Sequence, residues 1–395
     1  MVEIRLTGPD GDNPLGFLTA LGVVLALGDA GYEAALRWNG FKPILAACVN
    51  GLGAEAAEEE KRAVIVDLLY QTLKRVRGER ADQAVQAKRD MKRAKTAVKK
   101  MVEKIKGRKL GREAAKAART QELCPLEEVF RVKETDFKKA LIDAGADPSI
   151  ALGSNLTERN EDLIAHMVAA CQGAIPKNRR WVDLAAAYGV GDPSLPEERM
   201  VAQPWALVYG GSRQSFLESV QELMLHCTAA HFHQALFGPW TPREEKHSLR
   251  LDTADDRRYA LMDRNPTADG NEPQTIWGAN RLAFEALRFF PTMAMRGGMG
   301  VRSWRAPDGD WQENCRVRWP LWRPPLCRGS IHSLLGLREI WRDDGASRER
   351  LRLMGVDAVI ESRRIAVGKA PSRQFNLTPP TPVWISGFQG SAVAV

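Results

Sequence analysis

A helix-rich α+β fold is predicted for this chain, and three observations carry the prediction. Short alternating stretches such as "VEIRLTG" and "AALRWNG" read as strands. Longer stretches place apolar residues at helical spacing. Turn clusters such as "PDGDNP" and "GVGDPSLPEERMVAQP" punctuate the two kinds of segment. At 395 residues the chain exceeds what one small core takes. The expected layout is an N-terminal α/β body with an inserted basic helical hairpin and a mixed C-terminal region. In numbers, 1–54 is the strand–helix–strand start of the body and 55–120 the hairpin. The body continues over 121–195, a second α+β region covers 196–370, and a Pro/Gly-rich tail covers 371–395.

The elements follow in order. Asn13 is placed to cap a helix whose first residue is Pro14. That helix, "LGFLTALGVVLALGDAG", is apolar nearly all round, so it is expected to be buried, and Gly31 marks its end. Leu69, Leu73 and Val76 share helical spacing, and Gly78 permits a break. Met91, Ala94, Val98, Met101 and Ile105 then repeat every three and four residues, a narrow seam of coiled-coil type. Gly107 and Gly111 end it. Further along, 215–237 reads as one long helix and "WGANRLAFEALRFF" as an amphipathic one. Residues 301–323 read as a hairpin turning at "APDGD".

Charge is distributed unevenly. The chain carries +8 overall, yet residues 61–120 alone hold 20 Lys and Arg against 6 Asp and Glu. The remainder, with 37 basic and 43 acidic residues, is mildly acidic. Such asymmetry points to a basic arm that meets nucleic acid or an acidic surface. Six scattered cysteines without CxxC spacing fit reduced thiols in a cytoplasmic protein. The opening residues lack the pattern of a signal peptide, and no apolar run suits a bilayer span.

The basic hairpin is the leading candidate interface. Lys88, Lys92, Lys95, Lys99 and Lys106 form one stripe, and Arg89, Arg93, Lys100, Lys104 and Arg108 the next, with Lys109 at the end. Like charges at i,i+4 repel one another, whereas an ordinary solvated face interleaves signs. Duplex DNA presents a phosphate charge every ~1.7 Å of axis, which an extended cationic helix suits. Such contacts position the protein without reading sequence.

Two loops could test base edges. One is "PKNRR", with Lys177, Asn178, Arg179 and Arg180. The other is "YGGSRQSF", where Arg213 and Gln214 would sit in a first helical turn.

Other clusters favour structural readings. His226, His231, His233 and Cys227 do not share one helical face in the way i,i+4 metal ligands do. Asp252, Asp255 and Asp256 could hold Mg²⁺ in a nuclease, but Arg250, Arg257 and Arg258 interleave with them. Trp304, Trp311, Trp319 and Trp322 alternate with arginines. They fit either a stacking platform for single strands or a face packed inward. No P-loop, zinc-protease, nucleophile-elbow or dinucleotide fingerprint is present, which weakens the case for an enzyme, and no cofactor is expected.

The segment "NPLGFLTALGVVLAL", and more specifically "HSLRLDTADDRRYALMDRNP" followed by "WGANRLAFEALRFFP", resembles large subunits of type I-G (formerly I-U) CRISPR effector complexes. The resemblance implies a non-catalytic DNA-binding subunit that works beside a guide RNA and the backbone subunits. It implies recognition of a protospacer-adjacent motif on double-stranded target DNA, strand opening, and recruitment of a helicase-nuclease. It assigns none of these roles to particular residues.

Overall fold

Asn13 sets the first helix. In the computed structural model its side chain accepts from the backbone N–H groups of Leu15 and Gly16, with Pro14 at the first helical position. The structure describes residues 1–73, 78–143, 164–165, 167–168, 171–172, 179–191, 200–207, 216–241, 243–244, 246–253, 274–295, 298–307, 309, 311, 314–367 and 374–386.

The first strand, β1 (Val2–Arg5), leads to helix α1 (Pro14–Asp29), buried from Pro14 to Leu27 as its all-round apolarity requires. Gly31, at φ +88°, lets the chain leave the helix. Strands β2 (Glu33–Asn39) and β3 (Lys42–Cys48) follow as a tight hairpin. Gly40 sits at its first loop position with φ +61°, a value that favours glycine. Sequence patterning does not mark β3, because "KPILAAC" is apolar without alternation. Helix α2 (Glu58–Leu73) buries Ile65, Val66, Leu69 and Leu73.

Next come α3 (Gly78–Gly107), α4 (Arg112–Ala118), a π-helical turn (Arg119–Leu123) and α5 (Cys124–Asp143). Then follow α6 (Arg180–Ala185), β4 (Gly189–Gly191), β5 (Met200–Ala202), α7 (Phe216–His226), α8 (Ala229–Phe237) and α9 (Trp277–Ala286). The expected single helix over 215–237 is two helices. Cys227 and Thr228 break it, and Thr228 and His231 cap the second through reciprocal hydrogen bonds.

The C-terminal part holds β6 (Thr292–Met295), β7 (Gly298–Val301), β8 (Trp304–Arg305), β9 (Arg316–Trp322), β10 (Leu326–Cys327) and α10 (Arg328–Leu335). It ends in α11 (Gly345–Leu353), β11 (Val356–Val367), β12 (Gln374–Leu377) and β13 (Thr381–Ile385). The expected 301–323 hairpin is the antiparallel β8–β9 pair. The expected tail contributes two strands, both paired with β11.

Two compact units emerge, residues 1–73 with 152–395, and residues 74–151. This corrects the expected boundaries. Helix α2 belongs to the larger unit, and α5 rather than α2 is the helix that packs on α3. The larger unit has two main antiparallel sheets, ordered β1-β3-β2-β10 and β12-β11-β9-β8, with β13 also on β11. Phe17 of α1 lies within 6.5 Å of the ring centroids of Trp38, Trp319 and Trp322, so the core joins the helix to strands of both sheets. The indole N–H groups of Trp319 and Trp322 donate to the carbonyls of Gly11 and Leu36.

Helix α1 also packs closely on α9. A β-carbon at Gly22 would fall within van der Waals contact of the Leu282 carbonyl, and one at Gly278 would meet that of His231. Gly22→Val is therefore expected to destabilise the larger unit by about 3 kcal/mol or more, read as a lower denaturant midpoint. Among the described residues, no helix is long and apolar enough to cross a membrane.

Candidate nucleic-acid interface

The smaller unit is built on the α3 seam. Ala84 and Lys88 are buried, and Met91, Ala94, Val98, Met101 and Ile105 are half-buried. They meet a matching face of α5 that includes Phe130, Phe137 and Leu141. The pair is antiparallel: Arg80 near the start of α3 donates to the Asp143 carbonyl at the end of α5 (3.2 Å). At the other end both Arg108 Nη atoms bind the Glu122 carboxylate, with Nη2 at 2.9 Å. That fork raises the Arg108 guanidinium pKa and lowers that of the Glu122 carboxyl.

Cation and acid are segregated between the two helices. α3 holds 10 Lys and Arg against 4 acidic residues, whereas α5 holds 4 against 5. The positive field therefore belongs to α3. At 100° per residue, Arg89, Arg93, Lys100 and Lys104 lie opposite the seam, and Lys92, Lys95, Lys99 and Lys106 lie along one flank. All eight are exposed, as is Lys109. From Arg89 to Lys104 the helix rises ~22 Å. Arg93 lies 3.4 Å from Asp90, an exposed pair that removes little of this field. Lys92, Arg93, Thr96, Ala97 and Lys100 bound a shallow hollow of about 370 Å³, where the small Thr96 and Ala97 leave room between cations. Arg112, Lys116 and Arg119 extend the exposed charge beyond α3. Continuation of the charge run past Gly111 is the signal that would have added them.

Two proposed contacts, Lys88 and Arg180, are corrected, while Arg108 stays exposed in a pair with Glu122. Lys88 is 5% exposed. It occupies a seam position, four residues after Ala84 and three before Met91, with its ammonium 5.4 Å from the centre of the Phe137 ring. Lys88→Met is thus expected to leave duplex affinity unchanged, measured beside Lys99→Met as a control. Arg180 is 2% exposed and belongs to a buried ion cluster, so it cannot test base edges. Arg179 is exposed. Lys177, Asn178, Arg213 and Gln214 lie outside the described residues.

The ion cluster links distant parts of the sequence. Arg180 Nε donates to Glu285 (3.0 Å) and lies 3.4 Å from Asp29. Arg281 donates to Glu285 (2.6 Å), and Arg288 grips Asp29 with two bonds of 3.0 and 2.9 Å. Burial alone would push the Glu285 carboxyl up; Arg180, Arg281 and Arg288 hold it well below the usual range.

Trp304, Trp319 and Trp322 are buried, so these three pack inward rather than forming an open platform. Asp252 accepts from the Asn13 side chain (2.7 Å), tying it to the α1 cap. Asp255 and Asp256 lie outside the described residues. His226 lies beside Glu222, and His231 caps α8 and approaches Glu244. Comparison with protein-family models, curated proteins and solved structures returned no match.

Proposed function

We propose that this chain is the non-catalytic large subunit of a type I-G CRISPR surveillance complex and that it binds double-stranded target DNA. The observation that carries the DNA-binding reading is the exposed cationic surface of α3, whose acidic residues are few and whose partner α5 is neutral to acidic. A helix seated by one apolar seam keeps its other faces for a polyanion. The motif resemblance supplies the complex: a guide RNA, backbone subunits and a helicase-nuclease recruited after strand opening.

On this reading α3 holds phosphates and positions the chain along the duplex, and other residues test bases. The test is a photo-crosslinker placed at Lys99, with the complex assembled on guide RNA and target duplex. Crosslinks to the target duplex are expected. Crosslinks confined to RNA or to another subunit would make α3 a structural docking element instead.

A further inference from the structure

The larger unit carries a second feature, remote in sequence from the cationic helix. A hollow of about 810 Å³ opens between the β6–β7 hairpin, β8 and residues 335–341. That volume suits a ligand of nucleotide size. One wall is soft and apolar: Met293 and Met295, on one face of the β6–β7 hairpin, are 61% and 59% exposed. Thioether side chains of this kind adapt to flat aromatic surfaces. Indoles of Trp304 and Trp341 also line it. The Trp304 N–H is buried without an acceptor among the described residues.

The polar lining is cationic. Arg302, Arg305 and Arg338 border the hollow, and among the described lining residues none is acidic. Arg305 lies over the Trp341 ring at 4.8 Å, a guanidinium–indole stack that can extend to a further ring. Arg302 donates to the Phe289 carbonyl (3.0 Å), the exposed Arg338 lies 3.5 Å from Glu339, and no ion pair involves Arg302 or Arg305 among the described residues. Burial lowers the pKa of both, and the neighbouring guanidiniums of Arg318 and Arg342 lower that of Arg305 further. An anion bound here would relieve that repulsion.

We propose that this hollow binds a nucleoside phosphate, with the base against the exposed methionines and the Arg305–Trp341 stack and the phosphate on Arg302, Arg305 and Arg338. Base stacking on aromatic and guanidinium faces is tolerant of sequence, and arginine suits phosphate through its forked donors. The ligand can be a free nucleotide or one residue of a single strand, since both present this chemistry.

The test uses the full chain with Lys92, Arg93, Lys99 and Lys100 changed to Glu, which weakens the contribution of α3 equally in every variant compared. Binding of AMP is followed by calorimetry, and of a short fluorescein-labelled thymidine oligonucleotide by anisotropy. Saturable binding of either probe is expected, weakened about tenfold or more by Arg305→Glu with Arg338→Glu. Met295→Asp, which sets a carboxylate in the exposed wall, is expected to weaken it as well. Thermal melting checks that each variant is folded. AMP binding identifies the free nucleotide as sufficient; oligonucleotide binding that AMP does not displace identifies a strand. Absence of binding by both probes, or affinities unchanged in both variants, would overturn the proposal. So would binding of a Glu/Tyr copolymer in place of either nucleotide probe, which would give the hollow to a protein partner.

Discussion

Changing Lys92, Arg93, Lys99 and Lys100 together to Glu is expected to lower the affinity of the assembled complex for duplex DNA by about a hundredfold at moderate salt. The four residues are exposed on one continuous arc of α3. Exposed, screened ion pairs contribute ~0.7 kcal/mol each, so four total ~3 kcal/mol, or about two factors of ten. The salt dependence gives the sharper reading. Each lost phosphate contact reduces the slope of log affinity against log salt by about 0.9, so the slope should flatten by up to about four. Because such contacts carry no sequence information, loss should be equal on targets with matched and mismatched adjacent motifs. An affinity and slope like those of the unaltered chain would show that the phosphates lie elsewhere.

Glu285→Ala is expected to be the most destabilising single change in the larger unit. The carboxylate is fully buried and touches Arg180, Arg281 and Arg288. Its removal would leave Asp29 to pair with Arg180 and Arg288 and would take from the buried Arg281 the carboxylate it binds. Breaking a buried ion pair by deleting one partner costs about 3–5 kcal/mol, which a denaturant titration would read directly. The same residue fixes an acid limit. Its folded pKa lies below its ordinary value near 4.5. The stability it contributes is therefore fully present above about pH 4.5 and is lost as pH falls through the depressed folded value. The melting temperature of the unaltered chain should hold from neutral pH to about 4.5 and then decline. Glu285→Ala should show a shallower decline below that point.

Much of the fold was legible wherever a local rule decided it. Asn13 followed by Pro14 marked a helix start because the cap needs only a side-chain oxygen two or three residues from an unpaired N–H. Gly31 marked its end through a positive φ. The rhythm of Met91, Ala94, Val98, Met101 and Ile105 identified the side of α3 that packs. By the same rule Lys88 lay in register with that seam, but its charge placed it among the surface cations. A four-carbon stem can be buried beside an aromatic ring, so charge alone misread it.

Pairings between distant segments were not legible. Nothing local distinguishes α5 from α2 as the partner of α3, since both carry apolar residues at helical spacing. Likewise Arg180 in a basic loop looks like a phosphate ligand. Only the fold brings it to Asp29 and Glu285, some 150 and 105 residues away in the chain. The Trp/Arg hairpin left two readings open, because alternation does not say which side of a strand faces a core. Packing against Phe17 and Trp38 turned Trp319 and Trp322 inward.

The sequence alone determined the helix-rich α+β class, the buried first helix, and the concentration of positive charge in one segment. Composition, capping and periodicity act over a few residues and are read without knowing the fold. Tertiary structure decided which cations reach the surface, which form a buried cluster with acids, and which border a hollow beside exposed methionines. Those outcomes depend on contacts between segments far apart in the chain, and burial changes what the same guanidinium or ammonium group can do.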